Sequence, residues 1–239
     1  MKKLVLTFAV LAGFGMSAAP AFADAITIDA ASLGKDYTLT YDGYSSGTTI
    51  GGLTGSTTFT LTGISGNDYT FSYSVSNTSS SPITGSRISS FAFNTDPTIA
   101  QATSTGAFSY TTLNSSYPNG IGGVDVCFKD ASTGACSGGG SGGLTLGQTG
   151  SGTFTLSFSQ PISSLNLSDF YVRYQSISGA GSVTSASGSG TLTGSSTSTG
   201  GTQVPEPGML GLMSSALLAT AFLRRRRHPA AGVAVSAFA

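Results

Sequence analysis

The feature that most constrains this chain is a two-residue alternation of large apolar and small hydroxyl side chains. Tyr69, Phe71, Tyr73 and Val75 alternate with Thr70, Ser72, Ser74 and Ser76. That is the period of a strand with one buried and one solvated face; a helix would scatter the same apolar residues around its circumference. Phe59 and Leu61 alternate with Thr58, Thr60 and Thr62 in the same way, and Phe154, Leu156 and Phe158 with Thr153, Thr155, Ser157 and Ser159. Phe170, Val172 and Tyr174 set the inner face of a later strand whose outer face carries Tyr171 and Arg173. Weaker alternation marks Ile26–Asp29, Tyr37–Tyr41, Ile88–Phe93, Phe108–Thr112, Val124–Phe128 and Ser182–Leu192.

Turn-forming residues separate these runs: Gly51-Gly52, Gly66-Asn67-Asp68, Asn94 to Pro97, Pro118-Asn119-Gly120 and the cluster Gly138–Gly143. Short strands divided by turn residues, with no amphipathic helix between them, predict an all-β domain, an antiparallel β-sandwich or jelly roll, over residues 24–187. Gly55-Ser56-Thr57-Thr58-Phe59-Thr60-Leu61 is echoed by Gly150-Ser151-Gly152-Thr153-Phe154-Thr155-Leu156. Two related sheets or Greek-key halves would produce such an echo, and so would convergence of low-complexity strands. From Gly188 to Gln203 only Leu192 is apolar, and this stretch reads as a Ser/Thr/Gly linker.

The two ends are of another kind. Lys2-Lys3, an apolar run from Leu4 to Met16, and Ala21-Phe22-Ala23 make an N-terminal signal peptide over residues 1–23, cut by signal peptidase between Ala23 and Asp24. Gly13, Gly15 and Pro20 disfavour the alternative of an uncleaved anchor helix. Near the other end Val204-Pro205-Glu206-Pro207 precedes an apolar stretch, Gly208–Leu223, and then Arg224, Arg225, Arg226 and Arg227. The apolar stretch predicts a single C-terminal transmembrane helix, a little under the ~20 residues of an upright span. The arginines stop transfer and stay cytoplasmic, so the body lies outside. A plain C-terminal anchor helix is the simpler alternative.

A Pro-Glu-Pro motif, a short apolar helix and an arginine cluster, in that order, closely resemble the PEP-CTERM sorting signal. The resemblance implies recognition of Pro205, Glu206 and Pro207 by exosortase, a membrane protease of Gram-negative bacteria that make exopolysaccharide. It implies a transient membrane segment over residues 208–223, cleavage near the motif, and release to the cell surface or matrix. Two prolines keep the segment extended, within reach of a protease. Residues 228–239, a short cytoplasmic tail, continue further past the arginines than such signals usually do. The body, with Cys127-Phe128, Cys136-Ser137 and the glycines that follow, resembles a small PEP-CTERM subgroup, the cistern proteins, a likeness that brings no activity with it.

Removing both ends changes the charge balance. The body keeps four cations, Lys35, Arg87, Lys129 and Arg173, against nine aspartates, for a net charge of −5. An acidic body with no basic patch argues against nucleic acid as a partner. Cys127 and Cys136 are the sole cysteines; nine residues apart in an exported chain, they read as a disulfide. The single histidine, His228, lies in the tail, so the body has no histidine for a catalytic triad or a zinc site. No cofactor or metal is expected; Asp could bind calcium, but no Asp-x-Asp-x-Asp-Gly loop occurs. The leading expectation is a non-enzymatic surface or matrix protein. A carbohydrate-binding module is its first rival, with Tyr171 and Arg173 as the candidate ligand face and exopolysaccharide as the candidate partner. A hydrolase built on a pair among Asp125, Asp130 and Asp169 is the second.

Overall fold

The computed structural model describes residues 24–133, 135–136 and 142–196. Its strands are β1 (Ile26–Ile28), β2 (Asp36–Ser45), β3 (Thr48–Ser65), β4 (Asp68–Asn77), β5 (Gly85–Asp96), β6 (Gln101–Ser104), β7 (Tyr110–Tyr117), β8 (Gly122–Lys129), β9 (Leu144–Thr145), β10 (Thr149–Ser157), β11 (Leu165–Ser178) and β12 (Ser185–Ser196). Among these residues no helix is long and apolar enough to cross a membrane. The signal peptide, Ala23, the later part of the expected linker, and everything from Val204 onward lie outside the described residues.

The architecture is all-β and antiparallel, as the alternation requires, but its layers are not separate sheets. One sheet runs in the order β6-β10-β4-β3-β2-β12-β11-β5-β8-β7, with β1 added to β11 and β9 to β5. The β2–β12 pairing joins the two halves. At the far ends the Thr111 hydroxyl of β7 donates to the Ala102 carbonyl of β6 at 3.1 Å. The sheet is therefore a nearly closed barrel, built from a β2–β3–β4 meander and β7–β8 and β11–β12 hairpins, in place of the expected sandwich or jelly roll. Near-closure leaves little unpaired edge backbone exposed.

Aromatic rings from the two halves fill the interior. Phe59 of β3 lies 5.7 Å from Phe154 of β10, 5.9 Å from Phe93 of β5 and 6.0 Å from Phe170 of β11. Phe128 of β8 stacks between Phe91 and Phe154, at 4.9 and 4.8 Å. Each such contact adds about 0.5–1.5 kcal/mol beyond the area it buries. Phe170, Val172 and Tyr174 point into this core, as their alternation predicts.

Local chemistry fixes the register. Ser46 and Gly47, both at positive φ, form the two-residue turn between β2 and β3, whose mirror-image geometry matches strand twist. Gly66 opens the expected turn between β3 and β4. Gly51-Gly52, expected as a turn, lies within β3. Gly52 has φ +78° and an added Cβ would stand 2.5 Å from the Ser80 carbonyl oxygen, so its role is close backbone approach. The two echoed segments do not form separate halves: β3 and β10 flank β4 on either side, pairing Phe59 with Tyr73 and Phe154 with Phe71.

The start of the expected linker, residues 188–196, belongs to β12, which pairs with β11 on one side and β2 on the other. Its inward positions are Ala186, Gly188 and Gly190, followed by Leu192. A Cβ on Gly188 would meet Tyr41, Val172 and Tyr174 at 3.0–3.1 Å; on Gly190 it would meet Phe170 and Tyr41 at 2.9 Å. The rings of the neighbouring strands occupy the space that apolar side chains on β12 would fill. The inward face of the strand is covered without being hydrophobic, while Ser189, Thr191 and Thr193 face solvent.

Candidate functional site

Chemistry-bearing side chains gather on the outer face of β5, β8, β7 and β11. β5 is buried on both faces over most of its length, and on its outer side Ser90 meets the Tyr117 hydroxyl and the Cys136 carbonyl. Cys127 on β8 and Cys136 are joined in a disulfide, with Cα atoms 5.8 Å apart and both side chains fully buried. The Cys136 carbonyl accepts from the Ser90 hydroxyl at 2.7 Å, and its amide donates to Ser115 at 3.3 Å. The bridge thus seats the loop on β5 and β7. By loop-closure entropy such a link contributes about 2–3 kcal/mol.

Arg87 holds a residue at each end of the stretch between β8 and β9. Its Nη1 pairs with Asp130 at 3.4 Å and donates to the Gly142 carbonyl at 2.9 Å. Its Nε donates to Ser176 and its Nη2 to Gln175 on β11. A buried ion pair held by further hydrogen bonds in this way is costly to break. The signal in the sequence was a lone arginine in a run, Gly85–Thr95, with no other charge.

Tyr171 and Arg173 do lie on the outer face of β11, but they do not form an exposed pair. Arg173 is 7% exposed. Its Nη1 donates to the Ala186 carbonyl at 3.0 Å and to the Asn119 side-chain oxygen at 3.2 Å, with the Asn119 amide oriented to face its donors. The Tyr171 ring is half-buried against Tyr117, 5.6 Å between centroids. Burial pulls the Arg173 pKa below the usual guanidinium value and, opposed by the hydrogen bond shared with Ser90, pushes the Tyr117 hydroxyl well above the usual phenol value. The turn Pro118–Ile121 covers this pair, which sequence could not show since the cover comes from another hairpin.

The three aspartates have separate partners. Asp130 is tied to Arg87. Asp125 accepts from the Thr95 amide at 2.8 Å, and Asp169 from the Asn94 side-chain amide at 3.0 Å. Asn94 also accepts from the Asp125 amide at 3.0 Å, so it sits between the two strands that carry Asp125 and Asp169. Among the described residues no group of three His, Cys, Asp or Glu side chains is placed to hold a metal ion.

At the two ends of the domain, Asp24, the residue after the expected signal cleavage, accepts through its carboxylate from the Leu192 amide of β12. β12 ends at Ser196, and eight residues separate it from Pro205. Fully extended, they reach about 28 Å. Residues 203–227 match the family model described as the PEP-CTERM protein-sorting motif. The chain carries a PEP-CTERM sorting motif. That match spans Pro205, Glu206, Pro207, the apolar stretch and all four arginines, the segment in which the sequence already showed this order. The motif marks an exported, membrane-anchored precursor that exosortase processes toward the cell surface. No curated protein and no solved structure matches the chain significantly.

Proposed function

We propose that this PEP-CTERM protein is a non-enzymatic component of the bacterial surface or extracellular matrix, released there by exosortase cleavage near Pro207 and associated with exopolysaccharide. The sorting motif at residues 203–227 carries the reading. The signal sequence read in residues 1–23 agrees with it, with signal peptidase as the first processing enzyme. The non-enzymatic part is supported by the absence of histidine from the body and by the structural partners of Asp125, Asp130 and Asp169.

Mass spectrometry of the C-terminus of protein recovered outside the cell tests the sorting step. A terminus close to Pro207 is expected. A terminus that retains Arg224–Arg227 would replace exosortase release with a plain anchor.

A further inference from the structure

The outward face of the β10-β4-β3-β2 half of the sheet is tiled with hydroxyls in register. Thr40, Ser56, Ser76 and Thr149 stand directly opposite one another across the four strands. One pleat further, Thr38, Thr58, Ser74 and Ser151 form a second row. Rows on one face recur about every 6.8 Å along a strand, and strands lie about 4.8 Å apart, so the hydroxyls form a two-dimensional grid. All eight positions are at least partly open to solvent.

Neighbours in the grid hold one another in place. Thr38 and Thr58 lie 3.0 Å apart and Ser76 and Thr149 2.7 Å; further along β4 and β10, beyond the two rows, Thr70 and Thr155 lie 3.1 Å apart. A hydroxyl has one donor and two acceptor sites, so each bridged pair keeps one donor and several lone pairs for an outside group. The array is pre-ordered at these pairs and offers a hydroxyl at every node.

Charge narrows the partner. β2, β3, β4 and β10 contain no Lys or Arg, while Asp36, Asp42 and Asp68 stand exposed at strand positions around the grid. A polyanion finds no counter-charge there and meets carboxylates instead. Among the described residues the large apolar side chains that are exposed, Leu33, Ile64, Tyr110 and Leu146, are not in the grid, so it lacks the apolar anchors of a protein interface. A neutral polymer bearing hydroxyls of its own matches both conditions. We propose that this face binds a neutral polysaccharide laid along the hydroxyl rows. The proposal deepens the matrix reading and rests on it for location, but stands or falls on its own measurement. Each contact is weak, so affinity comes from many contacts at once.

Co-sedimentation of the full-length protein with microcrystalline cellulose, a neutral glucan, tests this, with alginate gel as the polyanionic comparison. Binding to cellulose and not to alginate is expected. The double variant Thr58→Val with Ser74→Ala removes two central hydroxyls and should weaken partition by about fivefold or more. The pair Thr58→Ser with Ser74→Thr keeps the hydroxyls and should bind like the parent. Thermal unfolding of both variants checks that the fold is kept. The proposal is overturned by equal binding to alginate, or by a folded double variant that binds undiminished. It is equally overturned if the parent stays in solution, pellets without glucan as a self-assembly, or shapes growing ice while leaving cellulose unbound. Exosortase processing is read separately from the C-terminal mass, so failure of one leaves the other standing.

Discussion

Tyr41 and Tyr174 are neighbours in the core with opposite hydroxyl environments. Tyr41 shares a 2.9 Å hydrogen bond with Thr57. Among the described residues the Tyr174 Oη has no partner, though the residue is fully buried. Removing a buried unpaired hydroxyl relieves a desolvation cost, while removing one member of a buried pair strands the other. Tyr174→Phe should therefore leave stability unchanged or raise it by about 1 kcal/mol, and Tyr41→Phe should lower it by about 1–2 kcal/mol. Urea unfolding of both variants decides this; a Tyr174→Phe protein less stable than Tyr41→Phe contradicts it. Arg87 gives the charged counterpart. Replacing Asp130 with Asn leaves a buried guanidinium without its counter-charge and should cost about 3–5 kcal/mol, read in the same unfolding experiment. Alternation in the sequence identified which tyrosines point inward, Tyr174 among them. It could not pair Tyr41 with Thr57 or Arg87 with Asp130, since those contacts join residues distant along the chain.

Strand β12 has no hydrophobic signature of its own, yet it closes the join between the two halves of the sheet. Its Gly188 and Gly190 are inward positions that must stay empty for the rings of Tyr41, Phe170 and Tyr174. A residue with a side chain there overfills a packed site. Gly190→Val should cost about 1–3 kcal/mol, and more if the strand detaches, whereas Thr191→Val on the exposed face should stay within about 0.5 kcal/mol. Equal effects at the two positions would sink this account of the strand. The strands whose inward positions carry rings, β3, β4, β10 and β11, were legible from their period alone. β12 was legible only in part, because its alternation is between glycine and hydroxyl, and the large residues that justify it lie on β2 and β11. The very short β6 and β9 gave no periodic signal to read. The disulfide was legible because an exported chain with two cysteines leaves them one partner.

For the molecule as a whole, buried phenols govern the response to alkali. Tyr41, Tyr117 and Tyr174 are each at most 2% exposed, and burial pushes all three hydroxyls well above the ordinary tyrosine value. Burial also raises Tyr44, Tyr69, Tyr73 and Tyr171. The sign follows from proton binding: above about pH 10 the unfolded chain ionises its tyrosines while the folded chain keeps them protonated, so ionisation draws the equilibrium toward unfolding. The contribution is fully present below pH 10 and is lost as pH rises toward the folded values. Each fully buried phenol takes up to about 1.4 kcal/mol per pH unit in that window. Three together remove about 4 kcal/mol per unit, enough to exhaust a typical 5–15 kcal/mol within a few units. Tyrosinate absorbance and far-ultraviolet circular dichroism, followed together through an alkaline titration, should show the buried tyrosines ionising in the same transition that melts the sheet. Smooth ionisation of all nine tyrosines at ordinary values with the sheet intact would mean that the rings are reached by water, and would overturn the closed aromatic core on which the fold depends.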